Sequence, residues 1–201
     1  MKRSTSRIRM ATVFAVAVLV SAPFLRAQMQ LRGLVHSSEG GGQVAPITIK
    51  IDNYSTPDEI LMLKQLMMSG DVNKFYKALR AKEKGYMNVP SAFSSANEWN
   101  SHFNIAFEQP SEKEDRILLI AESRIVKQGT SYGGPYYFLV MELSLNKNHE
   151  GEGRIYHAAK ISFPREGGVA LESYATVPYQ ISNIRPVGTS GKKDKSAGEL
   201  H

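Results

Sequence analysis

No cysteine occurs among the 201 residues. That absence excludes disulfide staples, a thiolate nucleophile, a cysteine-based metal site and a lipid anchor on an N-terminal cysteine. A fold without such supports stands on burial alone. A domain of about 150 residues manages this, since it buries about 70% of the surface its unfolded chain exposes. Catalytic signatures are missing too. There is no G-x-S-x-G elbow, no H-E-x-x-H pair and no glycine-rich phosphate loop set between a strand and a helix. No segment repeats.

Positive charge is scarcer than it first looks. The chain is +6 overall with a pI of 9.4. Five of its 25 basic residues and none of its 19 acidic ones fall within residues 1–27, so the remainder carries 20 against 19. A near-neutral body lacks the long-range field that nucleic acids or anionic membranes require, so no nucleic-acid partner is expected.

Residues 1–27 have the three zones of a secretory signal in order. Lys2, Arg3, Arg7 and Arg9 form a positive start, residues 10–25 are uncharged and mostly apolar, and Ala27 is a small residue for cleavage before Gln28. The apolar run of 16 residues falls short of the about 20 that span a bilayer, which disfavours an uncleaved anchor and any stable membrane insertion after cleavage. No arginine pair marks the twin-arginine route. The expectation is a protein released into the periplasm or the extracellular space.

The composition divides the rest. Residues 28–43 end in a Ser-, Glu- and Gly-rich stretch and read as a flexible linker; residues 188–201 read as a disordered, lysine-bearing tail. One domain is expected over residues 44–187. Ile47, Ile49 and Ile51 alternate with polar residues as a half-buried strand does. Thr56-Pro57-Asp58-Glu59 is a capping box that predicts a helix, Gly70 can stop it, and Asp71 can cap a second helix bearing Phe75 and Leu79. From Gly85 the period switches to two. Trp99, Phe103, Ile105 and Phe107 are expected to share one strand face, and residues 117–121 read as a central strand covered on both sides. A hairpin is expected about residues 146–153, and two further strands divided by Pro178. This order predicts an α+β fold: an antiparallel, meandering sheet with an N-terminal pair of short helices packed on its concave face.

The segments Thr56-Pro57-Asp58-Glu59, Gly85-Tyr86-Met87-Asn88-Val89-Pro90, Glu122-Ser123-Arg124, Glu142-Leu143-Ser144-Leu145 with Gly151-Glu152-Gly153, and Leu171-Glu172-Ser173-Tyr174 occur in that order. In this order, over roughly residues 55–186, the chain resembles a group of exported bacterial proteins of unknown function. The resemblance implies export and the fold class, and brings no activity.

Candidate functional residues are few. Tyr132 and Tyr136, beside glycines and a proline, offer rigid amphipathic area for a contact surface. His157 shares strand parity with Ile155, Ala159, Ile161 and Phe163, so it is either a hydrogen-bonded core residue or part of a lined site. The run Asn146-Lys147-Asn148-His149-Glu150-Gly151 has a calcium loop's alternating oxygens, but His157 stands where the bidentate glutamate belongs, so a hairpin turn using Asn and Gly at positive φ is the better reading. No metal and no cofactor are expected. The sequence therefore points to a non-catalytic exported domain that binds a protein or another envelope component. The alternatives are a small hydrolase assembled from separated strands, which a Ser–His contact would favour, and a carrier of an apolar ligand.

Overall fold

The alternating isoleucines form a strand, but the sheet that holds it is far larger than an open meander. A computed structural model describes residues 28–36, 42–90, 100–123, 138–174 and 177–188. Among them the order is β1 (Met29–His36), β2 (Val44–Ile51), α1 (Pro57–Met68), α2 (Val72–Arg80), β3 (Gly85–Asn88), β4 (Asn100–Phe103), β5 (Ile105–Gln109), β6 (Asp115–Glu122), β7 (Phe138–Leu145), β8 (Gly151–Ser162), β9 (Ala170–Tyr174) and β10 (Tyr179–Pro186). All pairings are antiparallel, in the order β4-β3-β2-β1-β10-β8-β7-β6-β5, with β9 added to β8.

The two ends of this order are consecutive in the chain. β4 pairs with β3 and β5 pairs with β6, and only Asn104 lies between them. Asn104 pins the junction: its backbone N–H donates to the Ile120 carbonyl at 2.8 Å and its side-chain amide to the Lys82 carbonyl at 2.9 Å. The sheet thus curls into a nearly closed barrel.

This overturns the α+β expectation: the fold is mainly β, with two short helices outside a barrel. Closure is the physical reason. Leu31, Val35, Ile47, Ile49, Ile51, Phe103, Leu119, Met141 and Ile181 pack against one another inside the curl, so the concave face needs no helix to cover it. The helices lie on the outer face instead, where Ile60, Leu63, Phe75 and Leu79 meet Ile105, Leu118, Ile120, Phe138 and Val140. β6 faces both clusters, which accounts for its unbroken apolar run.

A second correction concerns residues 28–43. Residues 29–36 of that expected linker are β1, paired with β2 along its length and with β10, so the sheet begins well before residue 44. Gly33 hides the strand pattern because it replaces an apolar side chain between Leu31 and Val35. A Cβ there would stand 3.0 Å from the Ser182 carbonyl oxygen and 3.1 Å from Ile181, so a side chain would crowd the neighbouring strand. Residues 1–27 and 189–201, the expected signal and most of the expected tail, lie outside the described residues.

The helix starts match the sequence. The Thr56 hydroxyl accepts from the Glu59 N–H at 3.2 Å and the Glu59 carboxylate accepts from the Thr56 N–H at 3.0 Å. Asp71 caps α2, and Gly70 has a φ of 72°.

Candidate functional site

Before α1, the loop after β2 is held against the barrel seam. The Ser55 N–H donates to the Ala106 carbonyl at 2.7 Å, and the Ser55 hydroxyl accepts from the Ala106 N–H at 3.2 Å. Below it, buried Lys84 donates to the Asn53 side-chain oxygen at 2.9 Å and to Glu59 at 2.7 Å. Lys82 reaches the other Glu59 oxygen at 3.0 Å. Burial pushes the Glu59 carboxyl up, but the hydrogen bonds from Lys84, the Thr56 backbone and Lys82 outweigh it and hold its pKa at about 2. The first turn of α1 is thereby fixed in place.

Across from that turn lies the link between β8 and β9. Lys64 of α1 donates to the Pro164 carbonyl at 2.6 Å, tying the two together. Between them opens a groove of about 630 Å³, within the range of small-ligand sites. Ile60, Leu61, Pro57 and Phe107 supply apolar surface, with Tyr54 and Ser55 at one side; Glu108, Arg165 and Glu166 bring charges of both signs. Leu61 is 53% exposed, an apolar side chain left outside the outer cluster. Gly168, at φ 82°, lets the turn lie on the Phe107 ring: a Cβ there would come within 2.4 Å of it. Such a site can take an apolar body and orient a polar end.

A different contact joins β1 and β10. His36 Nε2 and Ser182 Oγ are 2.6 Å apart, brought together across 146 residues of sequence. Both are half-buried, on the outer face of the sheet, since their neighbours Val35 and Ile181 point into the barrel.

Of the three expected site residues, His157 alone lies among the described residues. Tyr132 and Tyr136 lie outside the described residues. His157 is buried, 6% exposed, with its ring 5.3 Å from that of Tyr179 and nearly perpendicular to it, and it does not line the groove. Burial alone lowers its pKa to about 4. The parity expected around it fails. A bulge at Ala158, φ 52°, shifts the register of β8, so Ile155 faces the barrel interior while Ala159, Ile161 and Phe163 face the outer cluster. At the β7–β8 turn the Asn146 side-chain oxygen accepts from the Asn148 and Glu150 N–H groups, at 2.9 and 3.1 Å, which is hairpin chemistry. The positive φ there falls on His149 rather than on Asn or Gly.

Among the described residues no three His, Asp or Glu side chains are grouped to hold a metal ion, and no helix is long and apolar enough to cross a membrane. Comparison with protein-family models, curated proteins and solved structures finds no match to this chain.

The groove residues escaped the sequence analysis because they come from three separate segments. The one signal that could have found them is Leu61, which falls off the Ile60–Leu63 face of an amphipathic helix.

Proposed function

We propose that this chain is an exported binding domain whose groove between α1, β5 and the β8–β9 turn takes the apolar portion of an envelope component. The groove itself carries the reading: it combines about 630 Å³ of space, an exposed leucine and a glycine turn laid on a phenylalanine. Exposed apolar surface rimmed by charge is where ligands bind, and a site fixed by a capped helix needs little reordering to accept one. Export rests on the signal-like zones of residues 1–27, and release into the periplasm or outside the cell on their expected removal.

The dye 8-anilinonaphthalene-1-sulfonate, an apolar ring system with an anionic end, tests the groove. Its fluorescence should rise saturably at one site per chain, weaken with Arg165→Glu and vanish with Leu61→Asp. Binding that does not saturate, or that survives Leu61→Asp, overturns the reading. For export, mass spectrometry of protein recovered outside the cytoplasm should find a chain starting at Gln28; an intact Met1 there would refute cleavage.

A further inference from the structure

We propose that Ser182 and His36 form an acyl-transfer pair that cleaves esters of apolar acyl groups. This inference is independent of the groove, which shares no residue with the pair. A serine hydroxyl is a weak nucleophile until a base within hydrogen-bond reach takes its proton, and 2.6 Å to an imidazole nitrogen meets that condition. In the tautomer protonated at Nδ1, the Ser182 hydroxyl donates to His36 Nε2.

Two further features mark the place. The residue after Ser182, Asn183, is held at φ 54° and has no partner in either the β1 or the β8 ladder. The bulge begins directly after Ser182, which is still paired opposite Leu34, and leaves the backbone N–H of the next residue, Asn183, outside both ladders. Gly33 of β1 accommodates the bulge, since a Cβ there would press on the Ser182 carbonyl oxygen. The second feature is apolar. Leu34 stands opposite Ser182 in the ladder and Val44 opposite His36, with Pro46 opposite Leu34. Leu34 and Val44 are 36% and 51% exposed, so a short apolar ridge flanks the pair on the solvent side.

The chemistry balances with water as the only co-reactant. Ser182 Oγ attacks the ester carbonyl carbon as its proton passes to His36 Nε2, and the Asn183 N–H donates to the oxyanion. The carbon–oxygen bond to the alcohol then breaks, with His36 returning the proton to the leaving oxygen. Water, deprotonated by His36, attacks the acyl-Ser182 ester; the carboxylic acid leaves and Ser182 regains its hydrogen. Leu34 and Val44 hold the acyl chain.

The full chain, incubated with an alkyl fluorophosphonate and digested for mass spectrometry, provides the test. The expected result is one adduct, on Ser182, with release of p-nitrophenol from p-nitrophenyl butyrate. His36→Gln should slow labelling about 100-fold or more, the scale of a lost general base. Labelling of the unmutated chain decides the matter even if a variant folds poorly. No adduct on Ser182, equal labelling of several serines, or a rate that His36→Gln leaves unchanged in a folded variant overturns the proposal.

Discussion

The Lys84 ammonium, almost wholly buried, lies 2.7 Å from the carboxylate of Glu59, which at the same time caps the helix it begins. One acidic side chain therefore serves both a buried cation and the first turn of α1. Removing the acid leaves the buried ammonium with only neutral acceptors such as the Asn53 side chain, whereas removing the lysine leaves the acid with Lys82 and the Thr56 N–H. Glu59→Ala should cost about 3 kcal/mol, at the lower end for breaking a buried pair, and Lys84→Met clearly less. Thr56→Ala, which removes the cap alone, should cost about 1 kcal/mol. Urea denaturation of the three variants gives the ranking.

Acid should weaken the fold in two separable windows. His157 is held neutral by burial, with its pKa lowered to about 4, while in the unfolded chain it takes up a proton near 6.5. Its contribution is therefore full above about 6.5 and declines as the pH falls to 4, by on the order of 3 kcal/mol. Glu59 is the reverse type of group with the same outcome. Its depressed pKa of about 2 supports the fold above about 4.5, and that support fades as the pH falls from 4.5 towards 2. Stability measured from pH 7 to 4.5 should fall in the natural chain, and His157→Gln should flatten that slope without altering the lower window.

The paired glycines of the β8–β9 turn separate packing from backbone strain. Gly167, at φ 102°, has nothing within 4 Å of a Cβ position, whereas the Gly168 position meets Phe107. Gly167→Ala should cost about 1 kcal/mol through its backbone alone. Gly168→Ala should cost about 1–3 kcal/mol more, because the ring must move. It should also weaken dye binding in the groove more than Gly167→Ala does, because only the Gly168 Cβ displaces the Phe107 ring. Thermal melts beside a dye titration check both parts.

The β8 bulge offers a gain. Ala158 is buried and held at φ 52°, a conformation that L residues adopt at a cost of about 1–2 kcal/mol. Ala158→Gly should therefore stabilise the protein by up to about 1 kcal/mol, after the extra freedom of glycine in the unfolded chain is deducted. Ala158→Val should destabilise it. Denaturation midpoints at pH 7 would show opposite signs for the two changes.

How much was legible in the sequence follows from where the periods hold. The helix starts are written locally, α1 in the four residues Thr56 to Glu59 and α2 in Asp71, and β6 in its unbroken apolar run, so all three are legible. The barrel was missed where one residue resets a period. At Asn104 the side chains switch faces, so Phe103 points into the barrel while Ile105 and Phe107 point to the helices, although counting by twos puts all three together. Ala158 does the same within β8, and Gly33 masks β1. Closure itself leaves no local mark, because a two-sided apolar strand looks the same whether its second face meets a helix or the inside of a curl. The groove and the Ser182–His36 contact were illegible for a related reason: each is a meeting of distant segments.

The stitch between Ser55 and Ala106 bears on how the molecule behaves in company. A terminal strand such as β5 ordinarily offers its amides and carbonyls as a template on which another chain can grow. Here the serine hydroxyl and its own N–H already occupy both Ala106 groups, so an incoming strand meets a loop at that point instead of an invitation. The seam that lets the sheet close also discourages it from joining its neighbours in crowded solution.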